Sequence, residues 1–135
     1  MLPELPLSQR CRYEQELLGF SVSAHPLELL PPEVWRNATV ASQIENLIGR
    51  RVTMIGWMIA QKLIRTRKVP SRFMKFLSME DLTGTFEVTL FPDTYNKFAP
   101  LILTAGPYRL RGRIENDQGV PALNCSHLEL LSLPN

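Results

Sequence analysis

Val52 to Ile64 reads Val-Thr-Met-Ile-Gly-Trp-Met-Ile-Ala-Gln-Lys-Leu-Ile. This β-type run is about twice the usual strand length, and a glycine sits near its middle. A central Gly in such a run marks a bulge or tight bend. A small closed barrel uses a long first strand bent in this way to turn a corner. The run therefore constrains the chain more than any other segment does.

A hairpin follows. Phe73–Met79 and Thr85–Phe91 are short runs of Phe, Met, Val, Thr and Leu with partial period-2 alternation, and Asp81-Leu82-Thr83-Gly84 lies between them. Asp can bond its own backbone and Gly can take positive φ, so the middle is a turn. Pro92 closes the second strand because it has no N–H for a ladder. Arg65 to Arg72 is then a polar, basic loop joining strands one and two. Phe91, Tyr95, Phe98, Leu101 and Ile102 recur at helical spacing until Pro100 interrupts them, which predicts one or two helical turns and then a loop. Gly106-Pro107 is a turn. Tyr108 to Glu115 is a fourth strand, with Tyr108, Leu110, Gly112 and Ile114 on one face and Arg109, Arg111, Arg113 and Glu115 on the other. Asn116–Gly119 is a hairpin turn, and Ala122 to Leu131 is a fifth strand.

The N-terminal part has a different texture. Ser8 can cap a short helix to about Leu18, ended by Gly19. The prolines of Ser21–Pro32 allow only an ordered connector. Thr39 is expected to cap a second short helix, with Val40, Ile44 and Leu47 on one face and Gly49 at its end. His25 has no Cys, His or carboxylate at ligand spacing, which makes it a structural or surface histidine.

Five strands, the first long and Gly-bent, with a helical connection between the third and fourth, form the OB-fold pattern. A β-sandwich calls for about seven evenly spaced strands. The expected architecture is all-β: a five-stranded Greek-key barrel over residues 49–133, preceded by a short helical and extended connector over 1–48. Phe76, Val88, Leu90, Leu110, Ile114 and Leu123 are its expected core.

Composition narrows the function. No apolar stretch approaches the roughly 18 residues that span a bilayer, and Met-Leu-Pro-Glu-Leu-Pro lacks the basic and apolar regions of a signal peptide. A cytoplasmic location without membrane contact is expected, with Cys11 and Cys125 as free buried thiols. The net charge of +2 hides an asymmetry. Arg50, Arg51, Lys62, Arg65, Arg67, Lys68, Arg72 and Lys75 fall in one block that holds no Asp or Glu. Such a block is the footprint of a polyanion partner.

Two segments resemble a known family. Glu16-Leu17-Leu18-Gly19-Phe20-Ser21-Val22-Ser23-Ala24-His25-Pro26-Leu27 resembles the E-x-LGF-x-x-SGHPL connector of the bacterial DNA polymerase III α subunit, which there precedes an OB domain. Met79 to Pro92, Met-Glu-Asp-Leu-Thr-Gly-Thr-Phe-Glu-Val-Thr-Leu-Phe-Pro, resembles that domain's LED-x-TG-x-x-EV-x-x-FP signature. Tyr95, Phe98 and Leu110-Arg111-Gly112-Arg113-Ile114 fit the helix and strand that follow. Ala24 in place of the family's Gly is closer to the error-prone branch. Lys68-Val69-Pro70-Ser71-Arg72 departs from the family's shorter Lys-Gly turn, which alters the path of the basic loop. The resemblance implies part of a DNA-directed DNA polymerase, with polymerase domains or replisome subunits as further partners. The polymerase site itself is not expected here: there is no Asp-x-Asp to bridge two metal ions. Glu80-Asp81, the one adjacent acidic pair, sits at a turn. No cofactor, metal site or small-molecule substrate is expected.

OB-folds bind single strands on the outer face of strands two and three, between the loops after strands one and four. Aromatic side chains stack on bases and cations track phosphates. The expected single-stranded-DNA site therefore comprises Trp57, Phe73 and Phe86 as stackers, Arg65, Arg67, Lys68, Arg72 and Lys75 at the basic loop, and Arg111 and Arg113 on strand four. Trp57 could instead be buried under the N-terminal segment, and Phe73 and Phe86 could be core. Arg111 and Arg113 could pair with Glu87, Glu115 or Glu129. Two other functions fit the pattern. One is an RNA-binding OB domain like the anticodon domain of class II tRNA synthetases, whose first strand also reads V-x-x-x-G-W. The other is an OB domain that docks proteins and binds no nucleic acid.

Overall fold

The computed structural model describes residues 25–133. The expected Ser8–Leu18 helix, Cys11 and the connector motif up to Ala24 lie outside the described residues.

Five strands close into a barrel in the order β1-β2-β3-β5-β4. They are β1 (Arg51–Arg65), β2 (Phe73–Glu80), β3 (Thr85–Leu90), β4 (Tyr108–Asp117) and β5 (Val120–Leu130). Helix α1 (Pro92–Phe98) and a 3₁₀ turn (Ala99–Leu101) join β3 to β4. The closed five-stranded barrel is the OB architecture expected from the sequence. Its long first strand is shared: Arg51–Gly56 pairs with β4, and Trp57–Arg65 pairs with β2. All pairings are antiparallel except β3 with β5.

The bend falls where the glycine predicted it. A Cβ on Gly56 would lie 2.8 Å from Phe86 Cζ, too close for two carbon atoms, and a tight 3.1 Å from Met79 Cβ. The missing side chain lets the Phe86 ring cross the corner strand, so Phe86 is core, only 3% exposed. The register slips between Met58 and Ala60. A second slip falls at Arg111/Gly112, where a Cβ on Gly112 would collide with the Asn124 carbonyl oxygen.

Met54, Met58, Leu77, Met79, Phe86, Val88, Leu90, Leu110, Ile114 and Leu123 fill the barrel, and Phe98 and Ile102 from the α1 region close one end. Phe76 is not among them. Leu77 and Met79 take the inward phase of β2, which turns Met74, Phe76 and Ser78 outward.

The connector lies across the outside of β1. Leu27 and Leu30 bury themselves on Ile55 with Trp57, Val34 and Leu131 around them. Its helices are 3₁₀ turns, Pro26–Leu29, Pro32–Trp35 and Ala41–Asn46. Thr39 does not cap the last of these. Val40 holds that position, and Thr39 forms a bridge to Met54 on β1.

Cys125 is a buried free thiol. Burial pushes its pKa up to about 11, against weaker opposing hydrogen bonds from the backbone at His127 and Arg111. The folded state holds the proton more tightly than the unfolded state does, so this contribution is complete below pH 9 and is lost as pH rises towards 11. The stability difference between the parent chain and Cys125→Ala, measured by urea unfolding, should be flat up to about pH 9 and then shrink, by on the order of 2–3 kcal/mol. A difference that stays constant to pH 11 contradicts the burial effect.

Candidate nucleic-acid interface

The two family-like segments meet. His25, on the connector, and Glu80, at the end of β2, are 4% and 6% exposed, and His25 Nε2 lies 2.7 Å from Glu80 Oε2. The Leu27 amide donates to His25 Nδ1 at 3.0 Å. Nδ1 therefore carries a lone pair, and the proton sits on Nε2, where it is donated to the carboxylate. The carboxylate partner that no local spacing offered His25 comes from 55 positions away. Trp57 stands opposite Glu80 in the register, with its ring edge-on to the imidazole at 6.2 Å.

Asp81 is equally occupied. Its Oδ1 accepts from the Thr83 amide (2.8 Å), the Thr83 hydroxyl (2.7 Å) and the Gly84 amide (3.2 Å). Its Oδ2 accepts from the Ala41 amide at 2.7 Å. The carboxylate thus shapes the β2–β3 turn and anchors the start of the Ala41–Asn46 turn. Neither acid of the pair is free to bridge metal ions. Among the described residues, no group of three or more His, Cys, Asp or Glu side chains gathers at one point. No described helix is long and apolar enough to cross a membrane.

The connector covers the middle of β1, at Ile55 and Trp57, and leaves the outer face of β2 and β3 open. On that face β2 presents Met74, Phe76 and Ser78. The β1 residues opposite them are Ile64, Lys62 and Ala60, and the β3 residues opposite Phe76 and Ser78 are Thr89 and Glu87. Met74, Phe76, Thr89 and Phe91 line a groove of about 250 Å³ whose far wall is the β4–β5 hairpin, with Glu115, Asn116, Asp117 and Asn124. The β1–β2 loop leads directly into β2. Its neck is tied: the Thr66 amide donates to the Arg72 carbonyl (2.7 Å), the Arg72 amide to Thr66 Oγ1 (2.9 Å) and the Ser71 hydroxyl to the Thr66 carbonyl (2.8 Å). Arg67, Lys68 and Val69 project from this closed neck, and Val69 is 96% exposed.

The structure separates the residues expected to act together. Arg67 and Lys68 are exposed at the loop tip and have no ion-pair partner among the described residues. Arg72 reaches Asp93 at 2.6 Å. Arg65 sits over the Phe73 ring at 5.0 Å, and Lys75 lies between Gln61 (2.6 Å) and the Tyr95 ring (5.6 Å). Phe73 and Lys75 share the phase of Leu77 and Met79, so they lie on the reverse of the ribbon from Phe76. Phe86 is in the core. Trp57 is packed under the connector, and its Nε1 finds no acceptor among the described residues. Arg111 and Arg113 lie around the barrel on the β1–β4 side. Their possible acidic partners are engaged elsewhere: Glu129 with Arg109 (3.2 Å), Glu87 with Ser78 (2.9 Å) and Glu115 with Asn124 (3.1 Å). Met74, Phe76 and Phe91 in the groove, with Lys62 opposite Phe76, are the residues that sequence reasoning missed. Ser78 and Glu80, polar and in phase with Phe76, were the signal that this phase faces outward.

Comparison with known proteins identifies the family. The OB-fold nucleic acid binding domain family matches residues 52–131. An error-prone DNA polymerase of Sinorhizobium medicae is 27% identical over 130 residues, covering 95% of this chain and 11% of that protein. The DNA polymerase III subunit alpha of Saccharopolyspora erythraea is 31% identical over 131 residues (91% and 11%), and that of Bacillus subtilis 28% over 129 (95% and 11%). The chain thus spans about a tenth of the length of these relatives. The Escherichia coli hypothetical protein ygiW aligns with a TM-score of 0.47 at 16% identity, over 70% of this chain and 89% of its own. The chain belongs to the OB-fold nucleic acid binding domain family, and it is homologous to a region of DNA polymerase III α-type proteins, error-prone polymerases included.

Proposed function

We propose that the chain is a non-catalytic single-stranded-DNA-binding module of a DNA polymerase III α-type replication protein. The strand lies along the open β2–β3 face. The observation that carries this reading is the groove of Met74, Phe76 and Phe91, with Lys62 directly opposite Phe76 and, on the tied loop that leads into β2, Arg67 and Lys68, which have no ion-pair partner among the described residues. Phe76 and Phe91 offer π-faces to bases, Met74 offers a deformable apolar contact, and the cations offer phosphate partners. Stacking and phosphate contacts of this kind accept any base, so selectivity among bases is weak.

Oligo-dT binding should be salt-dependent, with the log–log slope falling by about 0.7 for each lost phosphate contact. Arg67→Glu with Lys68→Glu should lower both affinity and slope. Phe76→Ala should cost about 1–3 kcal/mol of binding, roughly 5- to 150-fold, at an unchanged slope. Fluorescence anisotropy of labelled oligo-dT against salt measures all three. A salt-independent titration, or none at low salt, rejects the reading. Tighter binding of a tRNA moves it to RNA, and intact DNA binding with a broken polymerase complex moves it to protein docking.

The His25–Glu80 contact has its own expected signature. His25→Ala leaves a buried carboxylate without its donor and should destabilise the chain by about 3–5 kcal/mol. Glu80→Gln still accepts from Nε2–H and should cost only about 1 kcal/mol. Urea unfolding that finds equal costs contradicts the charge-assisted contact.

A further inference from the structure

A second basic surface lies away from the groove. The outer face of β1 and β4 carries Arg51 and Arg113 directly opposite each other, with Thr53 opposite Arg111 one step on. Arg36 comes in from the connector to the cleft that Thr53, Asn37 and Arg111 line. Arg36, Arg51, Arg111 and Arg113 are all exposed, and none has an ion-pair partner among the described residues. Like charges directly opposite on neighbouring strands oppose folding. Among the described residues, Glu87, Glu115 and Glu129 are engaged elsewhere, and Glu33 stands at the edge of the cleft.

We propose that this face is a second nucleic-acid contact, which holds the phosphate backbone of a base-paired segment without reading its bases. Three features select that partner. The cations are all arginines, whose planar forks match phosphate. The polar residues among them, Asn37, Thr39 and Thr53, are of the types that join Arg in phosphate contacts. Among the described residues no Phe, Tyr or Trp lines this cleft, so its described lining offers nothing to stack on unpaired bases, in contrast to Phe76 and Phe91 across the barrel. Glu115 and Asp117 on the intervening hairpin divide the two surfaces electrostatically. One module then presents a stacking face to a single strand and an arginine face to a duplex, as a junction between the two requires.

The proposal does not depend on the groove reading, and one experiment separates them. Anisotropy titrations of the chain with a labelled blunt duplex and with oligo-dT compare the parent, Arg111→Gln/Arg113→Gln and Phe76→Ala. The arginine variant should lose about tenfold or more in duplex affinity, lower the duplex salt slope by about 0.9 for each arginine removed, and keep its oligo-dT affinity. Phe76→Ala should do the reverse. The thermal midpoint of the arginine variant should be no lower than the parent's, because relief of the Arg51–Arg113 opposition offsets any lost contact. Unchanged duplex binding, equal loss of both ligands, or tighter binding of a poly-glutamate peptide than of duplex overturns the proposal. Failure of oligo-dT binding alone overturns only the groove reading.

Discussion

The hydrogen bond between His25 and Glu80 decides which side of the barrel is available. Glu80 ends β2 on the outer face, where a bare carboxylate would keep its water. The imidazole instead covers it, and the Leu27 amide holds the ring in the one tautomer that can donate. A buried carboxylate tolerates loss of its donor poorly, so the connector is tied at this point. Leu27 and Leu30 are thereby drawn onto Ile55, and Trp57 is covered. Asp81, one residue on, extends the same tie to Ala41. Turn, connector and first strand thus lock together through adjacent carboxylates, and the face left open is that of β2 and β3.

The sharing of β1 sets the second condition. Its first half belongs to the β4 side and its second half to the β2 side, with Gly56 at the corner and a register slip just beyond. Side chains that alternate along a continuous strand therefore change faces partway. Before the slip, Trp57 points out under the connector. After it, Lys62 and Ile64 join Phe76 and Met74 on the open face. Two surfaces of different chemistry arise on one small barrel: an aromatic groove beside a cationic loop, and a flat arginine face.

Much of this was legible from residue patterns. The Gly-bent first run, the Asp81–Gly84 turn and the strict alternation of Tyr108–Glu115 lead directly to the closed barrel, because each is a local rule that the tertiary structure obeys. The site was less legible. Phe73-Met74-Lys75-Phe76-Leu77-Ser78-Met79 is apolar in both phases, so period-2 reasoning alone cannot say which phase faces inward. The inward phase is set by partners distant in sequence, Met54 and Phe98 among them. Phe86 is core because Gly56, 30 positions earlier, leaves room for its ring. His25 looked partnerless because its carboxylate lies on another strand. Charge clustering in sequence also misled: Arg50–Lys75 is one block along the chain, yet its cations divide among the loop, both faces of the β1–β2 ribbon and the β1–β4 face.

The central claim is that the β2–β3 face meets a single strand. An NMR amide and methyl shift map of the chain with a short oligo-dT tests this most directly. The expected perturbations fall on Lys62, Met74, Phe76, Thr89 and Phe91 and on the loop tip at Arg67 and Lys68, while the Trp57 indole and the Leu27–Leu30 methyls stay in place. Shifts centred on Trp57 and the connector, with the β2–β3 face silent, would contradict it.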